Sequence, residues 1–200
     1  MKDKVRQGYE QGDYESDYRQ GRDIRDEETE FFEKLSEKIG GSKILDLGCG
    51  TGVPFDAYLV ENGYDVTGVD IAQKHVEQAR ENFSDADFIR EDFFELDIES
   101  DSFDAIVSFY AIFHIPREDH LELLQKMRNW VKEDGAILIT MGAGEMDMHQ
   151  GDIGGEEMLW SSYSAQKNVE IAEKAGFNVL ESYQEDWREE THLWILAEPE

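Results

Sequence analysis

The chain has 200 residues, 40% hydrophobic and 12% aromatic, with 47 acidic against 19 basic side chains and a net charge of −28. That length and composition suit one folded domain with a buried core, and a field of that sign repels phosphate backbones and anionic bilayers, which excludes nucleic acid and membrane surfaces as expected partners. No apolar run approaches the roughly 18 residues of a membrane span, the polar start carries no secretory signal, and a lone cysteine, Cys49, makes no internal disulfide, so the expected setting is cytoplasmic.

In chain order, residues 1–27 are polar and acidic with tyrosines at Tyr9, Tyr14 and Tyr18, and read as an arm or short helix set before a main domain over 28–200. Phe31, Phe32, Leu35 and Ile39 fall at helical spacing, and Gly40-Gly41 ends that helix. A strand at 43–47, a helix at 54–62 stopped by Gly63, a strand at 65–69, a helix at 72–83, and strands at 87–90 and 103–109 follow. The pattern predicts a helix over 118–131, a turn at Asp134-Gly135 and a strand at 136–141. Residues 142–163 lack clear periodicity and read as a lid or specificity insertion. A helix at 165–175, closed by Gly176, precedes strands at 177–186 and 191–197 separated by a short polar turn.

Strands alternating with helices of this length predict an α/β fold with a mostly parallel sheet. The last two strands, joined only by a turn, predict one antiparallel pair. In such a sheet the ligand lies beyond the carboxyl ends of the strands.

The stretch Asp46-Leu47-Gly48-Cys49-Gly50-Thr51-Gly52 follows the first strand. Its glycines allow a tight turn and close approach of a ligand to the backbone, and the following helix suits an anionic group. Asp46 disfavours a pyrophosphate but suits a ligand carrying an ammonium group. Cys49 shares the loop as a small residue without a catalytic role. Asp70, at the end of the second strand, can accept from both hydroxyls of a ribose. Asp92 can accept from an adenine amine, with Ile71 and Phe93 as apolar cover. These groups together describe an adenosine carrying an amino-acid tail.

Over about residues 28–197 the sequence resembles the class I S-adenosylmethionine-dependent methyltransferases. The resemblance rests on Asp46-x-Gly48-x-Gly50-x-Gly52, Gly68-Val69-Asp70, Glu91-Asp92-Phe93, Ser102-Phe103-Asp104-Ala105-Ile106-Val107 and the segment from Trp130 to Ile139. It implies a Rossmann-like three-layer sandwich whose seven-stranded sheet has the order 3-2-1-4-5-7-6, with strand 7 antiparallel. It also implies S-adenosylmethionine as cofactor, S-adenosylhomocysteine as product and methylation of a small-molecule acceptor, or else a catalytically inactive sensor or adaptor that keeps the cofactor fold. Ser108 and Phe109 are expected at the cofactor's tail and base edge.

Methyl transfer needs a base only where the attacking atom must lose a proton. His114 and His192 are the candidates. Tyr14, Tyr18, Tyr110, Trp160 and Tyr163, together with His114, are the expected acceptor pocket. The acidic residues between Glu145 and Glu157 fit no ordered metal loop, so no metal is expected. A monomer or homodimer is expected. The surplus of acid reads either as a solvated surface or as adaptation to high internal salt, where screening removes self-repulsion.

Overall fold

A computed structural model of the chain describes residues 1–12, 23–187 and 190–200, the side chain of Trp187 excepted. Two helices, α1 (Lys2–Gln11) and α2 (Asp26–Lys38), precede the alternating part. That part runs β1 (Lys43–Leu47), α3 (Phe55–Glu61), β2 (Asp65–Asp70), α4 (Gln73–Asn82), β3 (Asp87–Arg90) and β4 (Phe103–Ser108). It continues with α5 (His120–Trp130), β5 (Val131–Gly142), β6 (Met146–Ile153), β7 (Glu156–Ser162), α6 (Ala165–Lys174), β8 (Phe177–Trp187) and β9 (Glu190–Pro199).

The main sheet has seven strands in the order β3-β2-β1-β4-β5-β9-β8. Pairing is parallel from β3 across to β5, and β9 runs antiparallel to both β5 and β8. This is the expected order with one reversed strand. The central strands are covered on both faces, which explains their nearly continuous apolar runs. Side chains alternate across the pleat. Leu45, Leu47, Ile106, Ile137 and Ile139 point to one layer, against Leu123, Leu124 and Met127 of α5 and Ile171 of α6. Ile44, Val66, Ala105, Val107 and Leu138 point to the other, against Phe31, Phe32 and Leu35 of α2 and Leu59 of α3.

Two local expectations change. Asp134-Gly135 is not a turn between separate elements but lies within β5, at an irregularity where β4 pairing jumps from Phe103–Val131 to Ala105–Ala136. Residues 142–163 are not irregular. Most of them form the antiparallel β6–β7 hairpin, a separate two-stranded sheet turned by Gly154-Gly155, both at positive φ. The start of the chain is ordered as α1, whose Val5 packs on Ile153, Met158 and Leu159 of the hairpin. Glycine at position 8 permits that approach, since a Cβ there would lie 2.2 Å from Met158 Sδ. Among the described residues no helix is long and apolar enough to cross a membrane.

Candidate functional site

The carboxyl ends of β1 and β2 meet at the glycine loop. Gly48 N–H donates to the Val69 carbonyl at 2.7 Å, and Gly50 N–H donates to Asp70 Oδ2 at 2.9 Å. Gly48 has φ +83°, and a Cβ there would sit 2.3 Å from the Ala111 Cβ, so the loop presses against the segment after β4. Asp70 is 7% exposed, and its Oδ1 accepts from Ala72 N–H at 2.8 Å, with His75 Nδ1 at 3.5 Å. Burial works to raise its pKa. The His75 imidazole and the two backbone donors outweigh burial and hold the carboxyl below its ordinary value. A carboxylate offers about four acceptor sites, so Asp70 keeps capacity for hydroxyl donors.

A narrow cavity of about 60 Å³ opens beside this carboxylate. Of the expected cofactor residues it is lined by Gly48, Gly50, Asp70, Ile71, Phe93 and Phe109, and Tyr110 and His114 complete its far wall. Val5, Tyr9, His75 and Ala111 also line it, none of which the sequence had pointed to. Val5 and Tyr9 come from α1, which covers the mouth. Their i, i+4 spacing was the available signal for a helix facing inwards; nothing local marked His75.

Tyr9 bridges the cavity. Its ring centroid lies 5.1 Å from that of His75 and 5.5 Å from that of His114. Its hydroxyl is 2.8 Å from His114 Nε2, while His114 Nδ1 is 2.9 Å from the Leu159 carbonyl. A carbonyl only accepts, so Nδ1 carries the proton and Tyr9 donates to Nε2. Burial pushes the His114 pKa down to about 4, only partly offset by Leu159, Asp70 and Glu190. His114 is therefore neutral at pH 7, with its lone pair engaged by Tyr9.

The remaining cofactor candidates lie outside this lining. Asp46 is buried at the end of β1. Cys49 turns its side chain toward Val76, Ala79 and Phe88, so only its backbone belongs to the loop. Gly52, at φ +79°, lies close under the Phe83 ring. Ser108 donates to the Leu47 carbonyl at 2.7 Å and ties β4 to β1. Asp92 caps the following turn by accepting from Phe94 N–H at 2.9 Å, and it pairs with Lys2 of α1 at 2.9 Å. It faces a separate cleft shared with Arg6, Arg90 and Glu91.

A second, larger cavity of about 460 Å³ lies between the end of β5, the β6–β7 hairpin and the start of β9. Trp160 and His192 line it, with Phe113, Met146, His149, Asp152 and Glu190. Tyr163 lines neither cavity; it stands edge-on to His120 at 6.4 Å, with the Arg117 guanidinium 5.0 Å over its ring. Tyr14 and Tyr18 fall outside the described residues. The two cavities share a wall. Tyr110 meets His192 edge-on at 4.8 Å, and His114 lies 5.7 Å from Trp160.

Tyr110 is held in that wall at φ 58°, an uncommon conformation for a residue with a side chain. Its hydroxyl contacts Arg25, Glu28 and Glu185 at 3.1, 3.3 and 3.4 Å. Glu28 and Glu185 are 1% and 6% exposed, and Trp194 Nε1 donates to Glu185 at 3.1 Å. Burial opposes the Arg25 charge, but hydrogen bonds to the two carboxylates override it and raise its pKa further. This buried cluster joins α2, β8 and β9 behind the wall.

Residues 44–135 match the family model described as "Methyltransferase domain". The chain is 27% identical over 120 residues to a ubiquinone biosynthesis O-methyltransferase from Actinobacillus pleuropneumoniae, covering 56% of this chain and 50% of that one. It is 33% identical over 102 residues to a phosphoethanolamine N-methyltransferase from Plasmodium falciparum, covering 50% of this chain and 38% of that one. The chain thus spans half or less of the length of these curated relatives. Among solved structures, an S-adenosylmethionine-dependent methyltransferase from Clostridium acetobutylicum superposes with TM-score 0.75 at 17% identity, covering 93% of this chain and 96% of that one. Another from Methanosarcina mazei gives 0.73 at 16%, covering 89% and 99%. The fold is that of the Rossmann-like methyltransferases. Residues 44–135, with the loop at Asp46–Gly52, thus match a methyltransferase domain, and in sequence and fold the chain is similar to the class I S-adenosylmethionine-dependent methyltransferases, whose cofactor is S-adenosylmethionine.

Proposed function

We propose that this chain transfers a methyl group from S-adenosylmethionine to a small-molecule acceptor, with residues 28–200 as the catalytic unit and α1 as its cap. The observation that carries this reading is two cavities sharing one wall at the carboxyl ends of the strands, one beside Asp70 and the glycine loop, the other roomy and partly apolar. No Lys or Arg is among the described residues lining the first cavity. That suits an adenosyl amino acid and leaves a pyrophosphate without a cationic partner among the described lining residues.

The cofactor supplies a methyl already activated on a positively charged sulfur. The protein's task is therefore to align and to exclude water. Asp70 accepts from ribose hydroxyls while its backbone donors keep it fixed. Ile71 and Phe93 cover the base. Tyr110 and His114 form the partition across which the two ligands meet. The cavity beside Asp70 is small against the roughly 300–1,000 Å³ usual for ligand sites, so Val5 and Tyr9 of α1 withdraw to admit the cofactor. His114 is not free to take a proton while Tyr9 donates to it, which leaves His192, in the larger cavity, as the better placed acceptor of one.

Calorimetric titration with S-adenosylhomocysteine, together with detection of its formation from S-adenosylmethionine and a pool of small metabolites, tests the proposal. Micromolar binding and turnover are expected. Binding with no turnover across the pool would point to the sensor, and no binding would overturn the cofactor reading.

A further inference from the structure

Resting on the methyltransferase reading, we infer that the acceptor is a cationic amine, methylated on nitrogen, and that the cavity between β5, the β6–β7 hairpin and β9 is where it binds. Charge is the first observation. Asp152 and Glu190 line this cavity, and no Lys or Arg is among its described lining residues. Two cations near the hairpin are committed elsewhere: Arg117 pairs with Asp147 at 3.2 Å and with Glu118 and lies over Tyr163, and Lys4 pairs with Glu157. An acceptor bearing a carboxylate or phosphate meets like charge from Asp152 and Glu190 here.

The second observation is the apolar part of the lining. Trp160, Phe113 and Met146 supply an indole, a phenyl ring and a thioether. An ammonium within about 6 Å of an indole face gains on the order of 0.5–2 kcal/mol, more as water is excluded. Aromatic faces beside carboxylates are the pairing that retains an organic cation and gives little to an uncharged alcohol.

His192 is the third and independent observation. It is 4% exposed, it lines the cavity, and its Nδ1 has no hydrogen-bond partner among the described residues. Its Nε2 lies 3.4 Å from the Glu190 carboxylate. A carboxylate on that side favours the proton on Nε2 and leaves the lone pair on Nδ1. Nδ1 is closed off from solvent as the ring stands, and a buried polar atom left unsatisfied costs about 1–3 kcal/mol; a turn of the ring toward the cavity lets an N–H of the acceptor remove that cost. The same contact sets up the chemistry. The ammonium proton passes to Nδ1, which frees the nitrogen lone pair. That pair forms the N–CH₃ bond while the electrons of the breaking S–CH₃ bond stay on sulfur. The products are an N-methylammonium and a neutral thioether, and the imidazolium returns its proton to water.

The test uses the full chain saturated with S-adenosylhomocysteine, whose own binding is measured first in the same calorimeter. Benzylammonium, benzyl alcohol and benzoate, which share one ring and differ in head group, are then titrated in turn. Benzylammonium is expected to bind at least tenfold more tightly than either of the others. In the double variant Asp152→Asn, Glu190→Gln that preference should fall at least fivefold, which separates the local carboxylates from the chain's overall negative field. Thermal melting of the variant verifies that it folds, and Glu190→Gln alone serves if the double variant does not. Three results overturn the inference: benzoate or benzyl alcohol binding as tightly as benzylammonium, a preference unchanged in the variant, or none of the probes binding. Should S-adenosylhomocysteine itself fail to bind, the cofactor reading falls, and this inference with it. Correct cofactor binding with the wrong ranking of probes sinks the amine assignment alone.

Discussion

The two cavities at the top of the sheet are built on opposite principles. The one beside Asp70 is lined by backbone and by side chains already engaged with one another, and holds only about 60 Å³. The one beside His192 holds about 460 Å³ and is walled by an added hairpin that belongs to no layer of the main sheet. The first depends on strand ends and a glycine loop that cannot shift without disturbing the core. The second depends on side chains of β6 and β7 that can change while the sheet stays as it is. A ligand common to a whole family suits the former, and a ligand particular to one protein suits the latter.

The partition between them is the place to break this contrast most severely. Arg25→Ala would leave the buried Glu28 and Glu185 carboxylates facing each other without their cation, at an expected cost of about 3–5 kcal/mol in urea unfolding. A loss under about 1 kcal/mol would mean that solvent already screens the cluster.

Acid should be felt next, through two buried imidazoles, His114 in the partition and His120 at the start of α5. Burial holds both His114 and His120 down to about 4, below the 6.5 of the unfolded chain. Between these values the unfolded state binds more protons, so stability is complete above about pH 6.5 and falls as pH drops toward 4. The expected loss is on the order of 3 kcal/mol per imidazole. His120→Gln should flatten the profile of melting temperature against pH in that window, and an unchanged profile would count against the burial argument. Asp70 and Asp104, held below their ordinary value, lose their contribution only at still lower pH.

On the tight side, Asp70→Ala should weaken S-adenosylhomocysteine binding at least tenfold by calorimetry, about 1.4 kcal/mol or more. Unchanged affinity would remove Asp70 from the ribose. The smallest effect concerns neither cavity. With a net charge of −28, the melting temperature should rise by a few degrees between dilute buffer and molar KCl, about 1 kcal/mol for a chain of this size. A flat or falling response would dispose of the high-salt reading.

The same division governs what could be read in the sequence. Gly48, Gly50 and Asp70 announce themselves because a loop at positive φ needs glycine and a strand end beside it has few other uses for a carboxylate. Apolar runs and connection lengths gave the mostly parallel sheet and its antiparallel last pair, while the strand order came only with the family resemblance. Asp92 was legible as an acceptor, but its Lys2 partner arrives from 90 positions earlier in the chain, and no local pattern announces that pairing. Tyr163 looked like pocket because aromatic residues crowd its neighbourhood; the start of α6 directs it toward His120 instead. The hairpin did leave a mark. Gly154-Gly155 is a two-residue hairpin turn signal, but the polar run of β6 hides the alternation that would have made it persuasive.

Helix α1 rests on two bodies at once. Glu10 accepts from the first backbone N–H groups of α4, beside Asp70, while Val5 and Gly8 lie against the hairpin that walls the larger cavity. Whatever lifts this helix to admit one guest also loosens the enclosure of the other. The affinities of the two guests are then linked, and thermodynamic reciprocity requires the linkage to have one magnitude from whichever side it is approached.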